Sequence, residues 1–150
     1  MNIIILAFIS LVSAICTCED KTDLSFMRGI TRYSKIVIDC DLYIFGGVKA
    51  TIIFGHVLQN NLYRVDVCTG NFVLVDSGTG PSARISPYMQ KSINGLIVHA
   101  GAQYHQKGLI FSRTTNIRML TDAWFWDFKL AKWERFLKDT SESYPWYSYL

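Results

Sequence analysis

The run Asp41-Leu42-Tyr43-Ile44-Phe45-Gly46-Gly47, "DLYIFGG", is strongly β-prone and stops on two adjacent glycines. Glycine weakens a strand interior, so a pair at its end marks backbone that needs φ > 0 or very close packing. One such stop is a turn, whereas a regular recurrence is an architecture. Downstream, Gly95-Leu96-Ile97-Val98-His99-Ala100-Gly101 repeats the pattern at an offset of 54 (Gly47 to Gly101), with Ala100 in place of the first glycine. A second correspondence follows each stop. Asn60 to Val75 ("NNLYRVDVCTGNFVLV") aligns with Thr121 to Phe136 ("TDAWFWDFKLAKWERF") at an offset of 61 (Asp66 to Asp127). In both, a polar pair leads to an aromatic (Tyr63, Trp124) and then to an Asp (Asp66, Asp127). Six residues beyond the Asp stands a second aromatic (Phe72, Trp133). A period of roughly 50 residues is the signature of stacked units.

Each unit reads as four short strands. The first has Ser34–Ile38, Leu42–Phe45, Asn61–Asp66 and Asn71–Val75; the second has Tyr88–Ser92, Leu96–His99, Asp122–Phe128 and Lys132–Phe136. Asn94-Gly95 falls between the first two strands of the second unit, and Asn-Gly is the strongest two-residue hairpin signal. Cys68-Thr69-Gly70-Asn71 supplies a turn in the first unit. No helical period follows the apolar first segment, so the chain is expected to be all-β.

The order of these features resembles the kelch repeat: a strand ending in Gly-Gly, a later aromatic, an Asp, and a second aromatic six residues on. "GTGPSARISPY" (Gly78 to Tyr88) extends the resemblance, because kelch sequences often carry Pro-x-x-Arg between units and Pro81 and Arg84 occupy that place. The resemblance covers about residues 28–138, as one unit over 28–80 and another over 81–138. The second unit departs at Ala100, and Phe72 stands where the family usually has Trp. It implies two four-stranded antiparallel kelch-type blades of an incomplete β-propeller, followed by an aromatic tail over 139–150. Gly46, Gly47 and Gly101 then permit close backbone approach. Tyr63, Phe72, Trp124 and Trp133 are expected to fill the wedge between sheets, since a buried aromatic removes roughly 150–250 Å² from water. Asp66 and Asp127 are expected to accept hydrogen bonds from turn amides.

At 150 residues the chain has the size of one domain, and half of its residues are hydrophobic, which excludes disorder. The formal charge of +3 is spread without a basic run, so nucleic acid is not an expected partner. Ile3 to Val12 is almost entirely apolar, and no charged side chain precedes Glu19. Residues 1–14 read as a signal peptide cleaved after Ala14, with cleavage as late as residue 18 also compatible. The apolar run is shorter than the roughly 20 residues of a membrane span, so no span is expected after cleavage and the chain is expected to be secreted. An oxidising compartment would allow disulfides among Cys16, Cys18, Cys40 and Cys68, with three connectivities open. Cys16 and Cys18 are too close in sequence to pair naturally. A Cys40–Cys68 bridge would span two strand spacings, roughly 9–10 Å, and so would need distortion of the loops that carry it.

No metal or cofactor is expected: neither the cysteines nor His56, His99 and His105 show zinc spacing. No nucleophile-elbow motif is present, and no catalytic residue is assigned. Some secreted propellers related to kelch proteins are copper radical oxidases, but the histidines, tyrosines and Cys68 do not match that placement. Function is therefore sought in the two long connections, 48–59 and 102–120, which join second and third strands and are longer than the 2–5 residues needed there. Their apolar runs include Ile53 and Phe54, and His56, His105, Lys107, Arg113 and Arg118 accompany them, with Arg84 in the connection between units. Loops on a rigid scaffold commonly carry recognition; the alternative is that the apolar runs Thr51–Phe54 and Leu109–Phe111 add small strands or fold back onto the blade edge. The expectation is a secreted, non-enzymatic protein–protein interaction module contacting a protein or surface ligand. Its rivals are a truncated relative of a galactose-oxidase-like copper enzyme and an inactive propeller fragment. Because propellers close with 4–8 blades, two imply a truncated product, further blades, or self-association.

Overall fold

The computed structural model describes residues 16–51, 55–107, 114–140 and 143–146. They form an all-β structure with one 3₁₀ turn at Ser25–Met27. The strands are β1 (Ile30–Thr31), β2 (Ser34–Ile38), β3 (Asp41–Phe45), β4 (Val48–Thr51), β5 (Gly55–Leu58), β6 (Asn61–Asp66) and β7 (Phe72–Ser77). They continue as β8 (Tyr88–Ser92), β9 (Gly95–His99), β10 (Ala102–Lys107), β11 (Thr114–Met119), β12 (Ala123–Asp127), β13 (Lys132–Leu137) and β14 (Ser143–Trp146). Four antiparallel sheets result, none of them closed. Two have four strands, in the orders β2-β3-β6-β7 and β8-β9-β12-β13; two have three, β1-β4-β5 and β10-β11-β14.

The two four-stranded sheets repeat one another in backbone detail. Each third strand carries a register irregularity at the same place, Leu62/Tyr63 and Ala123/Trp124. The amide of Val67 donates to the Cys40 carbonyl at 2.9 Å, and that of Phe128 donates to the Asn94 carbonyl at 3.0 Å. Asp66 Oδ1 accepts from the Cys68 and Thr69 amides, as Asp127 Oδ1 does from those of Lys129 and Leu130. The carboxylates thus satisfy turn donors that would otherwise compete for water.

The glycine stop has the same geometry in both units. Gly46 and Gly47 lie at φ +76° and +101°, while Ala100 and Gly101 lie at +57° and +95°. A Cβ on Gly101 would meet the Ile85 carbonyl oxygen at 2.8 Å. Ala100 holds a left-handed conformation that costs an L-residue about 1–2 kcal/mol. Ala100→Gly is therefore expected to stabilise the fold by about 0.5–1 kcal/mol, after allowance for the looser unfolded chain. Gly101→Ala should destabilise it by about 1–3 kcal/mol. Opposite shifts of the urea midpoint at these adjacent sites are the check; equal signs would contradict the shared geometry.

Alternation along β3 divides the core. Tyr43 and Phe45 point to one face and pack with Ile38, Leu62, Met89, Leu96, Val98 and Trp126, so this cluster joins the two large sheets. Leu42 and Ile44 point to the other face and pack with Met27 and Val65, against Leu24, Phe26, Ile30, Tyr33 and Tyr63. The N-terminal segment thus covers the outer face of the first sheet. Strands β2 and β8 lie side by side where the sheets approach most closely.

This arrangement corrects the expectation for the four aromatics. Of these, only Trp133 packs between the sheets, 5.7 Å from the Phe45 ring and 5.2 Å from Trp126. Tyr63 belongs to the outer cluster, and Phe72, 52% exposed, stacks on Phe26 at 4.2 Å. Trp124 is half-buried and carries Arg135 over its ring at 5.5 Å. Strand alternation assigned their faces, which residue size alone does not do.

Candidate interaction face

The two long connections are β-hairpins, not open loops. In the first, β4 pairs with β5 in the register Ala50↔His56; in the second, β10 pairs with β11 in the register Tyr104↔Ile117. Strand β1 extends the first hairpin, and β14, from the expected aromatic tail, extends the second. Val48, Ile85 and Ala102 form a small core at their bases, with Leu58, Tyr104 and Ile117 packed against it. The His56 ring meets the Tyr104 ring edge-on at 6.2 Å. The hairpins therefore stand beside one another on one rim of the paired sheets. Burial pushes the Tyr104 hydroxyl above its ordinary pKa, partly offset by the nearby Arg32 charge.

Beneath the hairpins lies a buried ion pair. Arg84 is 0% exposed and Asp122 4%. Arg84 Nη1 donates to Asp122 Oδ1 at 2.6 Å, and Nη2 donates to Oδ2 at 2.9 Å. The remaining donors reach the Ala100 carbonyl at 3.0 Å, the Ser82 carbonyl at 2.9 Å and Ser82 Oγ at 3.1 Å. Every guanidinium N–H thus has an acceptor, which a buried arginine requires. The Arg84 backbone is engaged as well: its amide donates to the Gln59 carbonyl, and its own carbonyl accepts from Gly47 N–H at 2.8 Å. Trp124 Nε1 donates to Asp122 Oδ2 at 2.7 Å. Burial alone would raise the Asp122 pKa, but the hydrogen bonds from Arg84 and Trp124, with the Arg84 charge, hold it below the ordinary value.

Arg84 was expected on the partner-binding surface; its full burial overturns that. A residue with no accessible surface cannot touch a partner, and its role is to lock the two units together. Arg118 reaches the surface, 40% exposed, but pairs with Asp139 at 2.5 Å. His56 is exposed on the first hairpin, near Lys49 and Val57. His105 and Lys107 lie in β10 by their backbone. Ile53, Phe54 and Arg113 lie outside the described residues. His99 faces Tyr88 at 4.8 Å between ring centroids.

Sequence reading passed over Asp122 and Tyr104. The offset of 61 carried a signal for the first: Asp122 aligns with Asn61, and each bonds the aromatic two residues on, Trp124 or Tyr63. Tyr104 had no such marker. Among the described residues, the one convergent group of metal-capable side chains is Cys16, Cys18, Cys40 and Cys68. Among them, too, no helix is long and apolar enough to cross a membrane.

Fold and rim together define an all-β protein built on a duplicated antiparallel sheet with paired hairpins on one side. No protein-family model matches the chain, and no curated protein matches it either.

Proposed function

We propose that this chain is a secreted, kelch-type pair of propeller blades acting as a non-enzymatic interaction module, with the two hairpins as its partner-contacting rim. The observation that carries the reading is the joining of both hairpins through the Val48, Ile85 and Ala102 core, over the Arg84–Asp122 lock. Two connections of different length, fixed beside one another on a rigid base, offer one continuous recognition surface. Lys49, His56, Val57 and Met119 are exposed on it. The repeated turn, bulge and glycine-stop geometry supports the blade assignment. Secretory entry fits the leader, and cleavage after Ala14 leaves Cys18 available for its bond to Cys68. N-terminal sequencing of the secreted chain is expected to begin at Ile15; a start beyond Cys18 would refute this cleavage.

The functional test is saturable binding of the labelled chain to intact cells. Lys49→Glu/His56→Asp/Met119→Glu should weaken it at least tenfold, because the exposed rim would lose its basic and apolar character together. Lys129→Glu/Leu130→Ser, in the turn at the opposite ends of the strands, should leave it unchanged. Equal loss in both variants, or no saturable binding, would reject the rim. Stoichiometric copper uptake with oxidase activity would instead favour the copper-enzyme rival.

A further inference from the structure

Four sulfur atoms from three separate segments meet at the end of the first sheet opposite the hairpins. Cys16 and Cys18 come from the N-terminal segment, Cys40 from the β2–β3 turn, and Cys68 from the β6–β7 turn. All four Sγ atoms lie within 4.8 Å of one another. Cys18 and Cys68 are bonded, with their Cα atoms 5.4 Å apart. Cys16 and Cys40 are free thiols. Cys16 Sγ is 3.1 Å from Cys18 Sγ and 3.6 Å from Cys68 Sγ. A groove of about 510 Å³, lined by Cys16, Cys18, Thr22 and Lys35 among others, opens the Cys16 side of this cluster to solvent.

A four-thiolate metal centre would need every sulfur as a separate anionic ligand, spaced around an ion at roughly 2.3 Å from each. Two of the four are already joined to each other, so that set is not present. We propose that Cys16 and Cys40 form a second disulfide, made by exchange with a small disulfide such as oxidised glutathione that enters through the groove. The Cys16 thiolate attacks one glutathione sulfur, the glutathione S–S bond breaks, and one glutathione thiolate leaves and is protonated. The Cys40 thiolate then attacks the Cys16 sulfur of the mixed disulfide and expels the second glutathione. Two electrons and two protons pass from the cysteine pair to two glutathione thiols, so the exchange balances.

The environment orders these steps. The Cys40 thiol is pushed up to about 11, first by its hydrogen bond with Cys16 and then by burial. Cys40 is thus a poor opening nucleophile while Cys16 is a free thiol. Conversion of Cys16 to a mixed disulfide removes the leading cause of that shift, and Cys40 becomes competent for the second step. The product would hold the N-terminal segment to both turns of the first sheet.

The test is differential alkylation of the purified chain before and after incubation with oxidised glutathione. Accessible thiols should fall from two to none, with no glutathione retained. In Cys18→Ser/Cys68→Ser, a non-reducing tryptic map should join the peptide containing Cys16 to residues 36–49, which contain Cys40. If that variant fails to fold, the oxidised wild type should give one non-reduced species joining the peptide containing Cys16 and Cys18 to both 36–49 and 65–84, and a map in which 36–49 stays unjoined would overturn the proposal. Two thiols surviving oxidation, or a stable adduct on Cys16 in the wild type, would overturn the proposal. So would one zinc ion bound per chain with all four thiols protected from alkylation.

Discussion

Asp122→Asn is expected to cost about 3–5 kcal/mol of folding stability, the usual consequence of leaving one partner of a buried pair uncompensated. The amide keeps the shape of the carboxylate but not its charge, and the fully buried Arg84 would stay ionised among neutral acceptors alone. For a chain of this size, each kcal/mol shifts the melting temperature by about 2–4 °C, so a fall of roughly 6–20 °C is expected. Replacing both partners, Arg84→Met/Asp122→Leu, should recover much of the loss, because no buried charge then remains. An additive double variant would contradict the coupling. The pH dependence has a definite sign. The Asp122 carboxyl is depressed below its model-peptide value of 3.8, so its contribution is complete above that value and disappears as pH falls through the folded one. The wild type should therefore lose its advantage over Asp122→Asn in acid below about pH 4. Asp41 is shifted upward, chiefly by burial, and acts in the other direction. The difference between wild type and variant isolates Asp122.

Reduction of Cys18–Cys68 should have an effect of comparable size. The bond closes a loop with a sequence separation of 50. Loop-closure entropy for such a loop corresponds to about 4 kcal/mol. The measurement needs a Cys16→Ser/Cys40→Ser background, because Cys16 lies near enough to Cys68 to exchange with it. In that background, denaturant unfolding with and without reductant should differ by about 3–4 kcal/mol. Trp126 and Trp133 report on the joint between the sheets, whereas the outer cluster of Phe26 and Met27 should loosen earliest on reduction. A difference below about 1 kcal/mol would mean that packing alone holds the N-terminal segment in place.

Much of this was legible from the "DLYIFGG" run outward. The strands of both large sheets were readable because alternation, Asn94-Gly95 and the aspartates at the turns are local signals. The duplication was readable because two offsets, 54 and 61, held over many residues at once. The character of 48–59 and 102–120 was open between recognition loops and added small strands. The third strand of each, β1 or β14, joins from a distant part of the chain and had no local signal. Nor did residue type reveal that Arg84 is buried: an arginine between two units reads as surface until its carboxylate is found, 38 residues further on. The Cys18–Cys68 bond was likewise invisible, since it depends on the path of residues 16–33 across the sheet. The face assignment of Tyr63 and Phe72 failed for the same reason, as the partner ring, Phe26, belongs to that segment.

That segment also gives the paired sheets a direction. Met27, Phe26 and Leu24 already occupy the outer face of the first sheet. On the outer face of the second, Ile97 and Phe125 are half-buried opposite one another and Tyr88 is 57% exposed. Among the described residues, the first sheet's outer face is covered in this way and the second's is not. Any sheet stacked laterally on this protein would thus meet a covered face at the first sheet and an open one at the second. For the same reason, a ring of blades could close through the first sheet only by lifting its own chain away. The cap is a terminator, written into the residues that precede the first repeat.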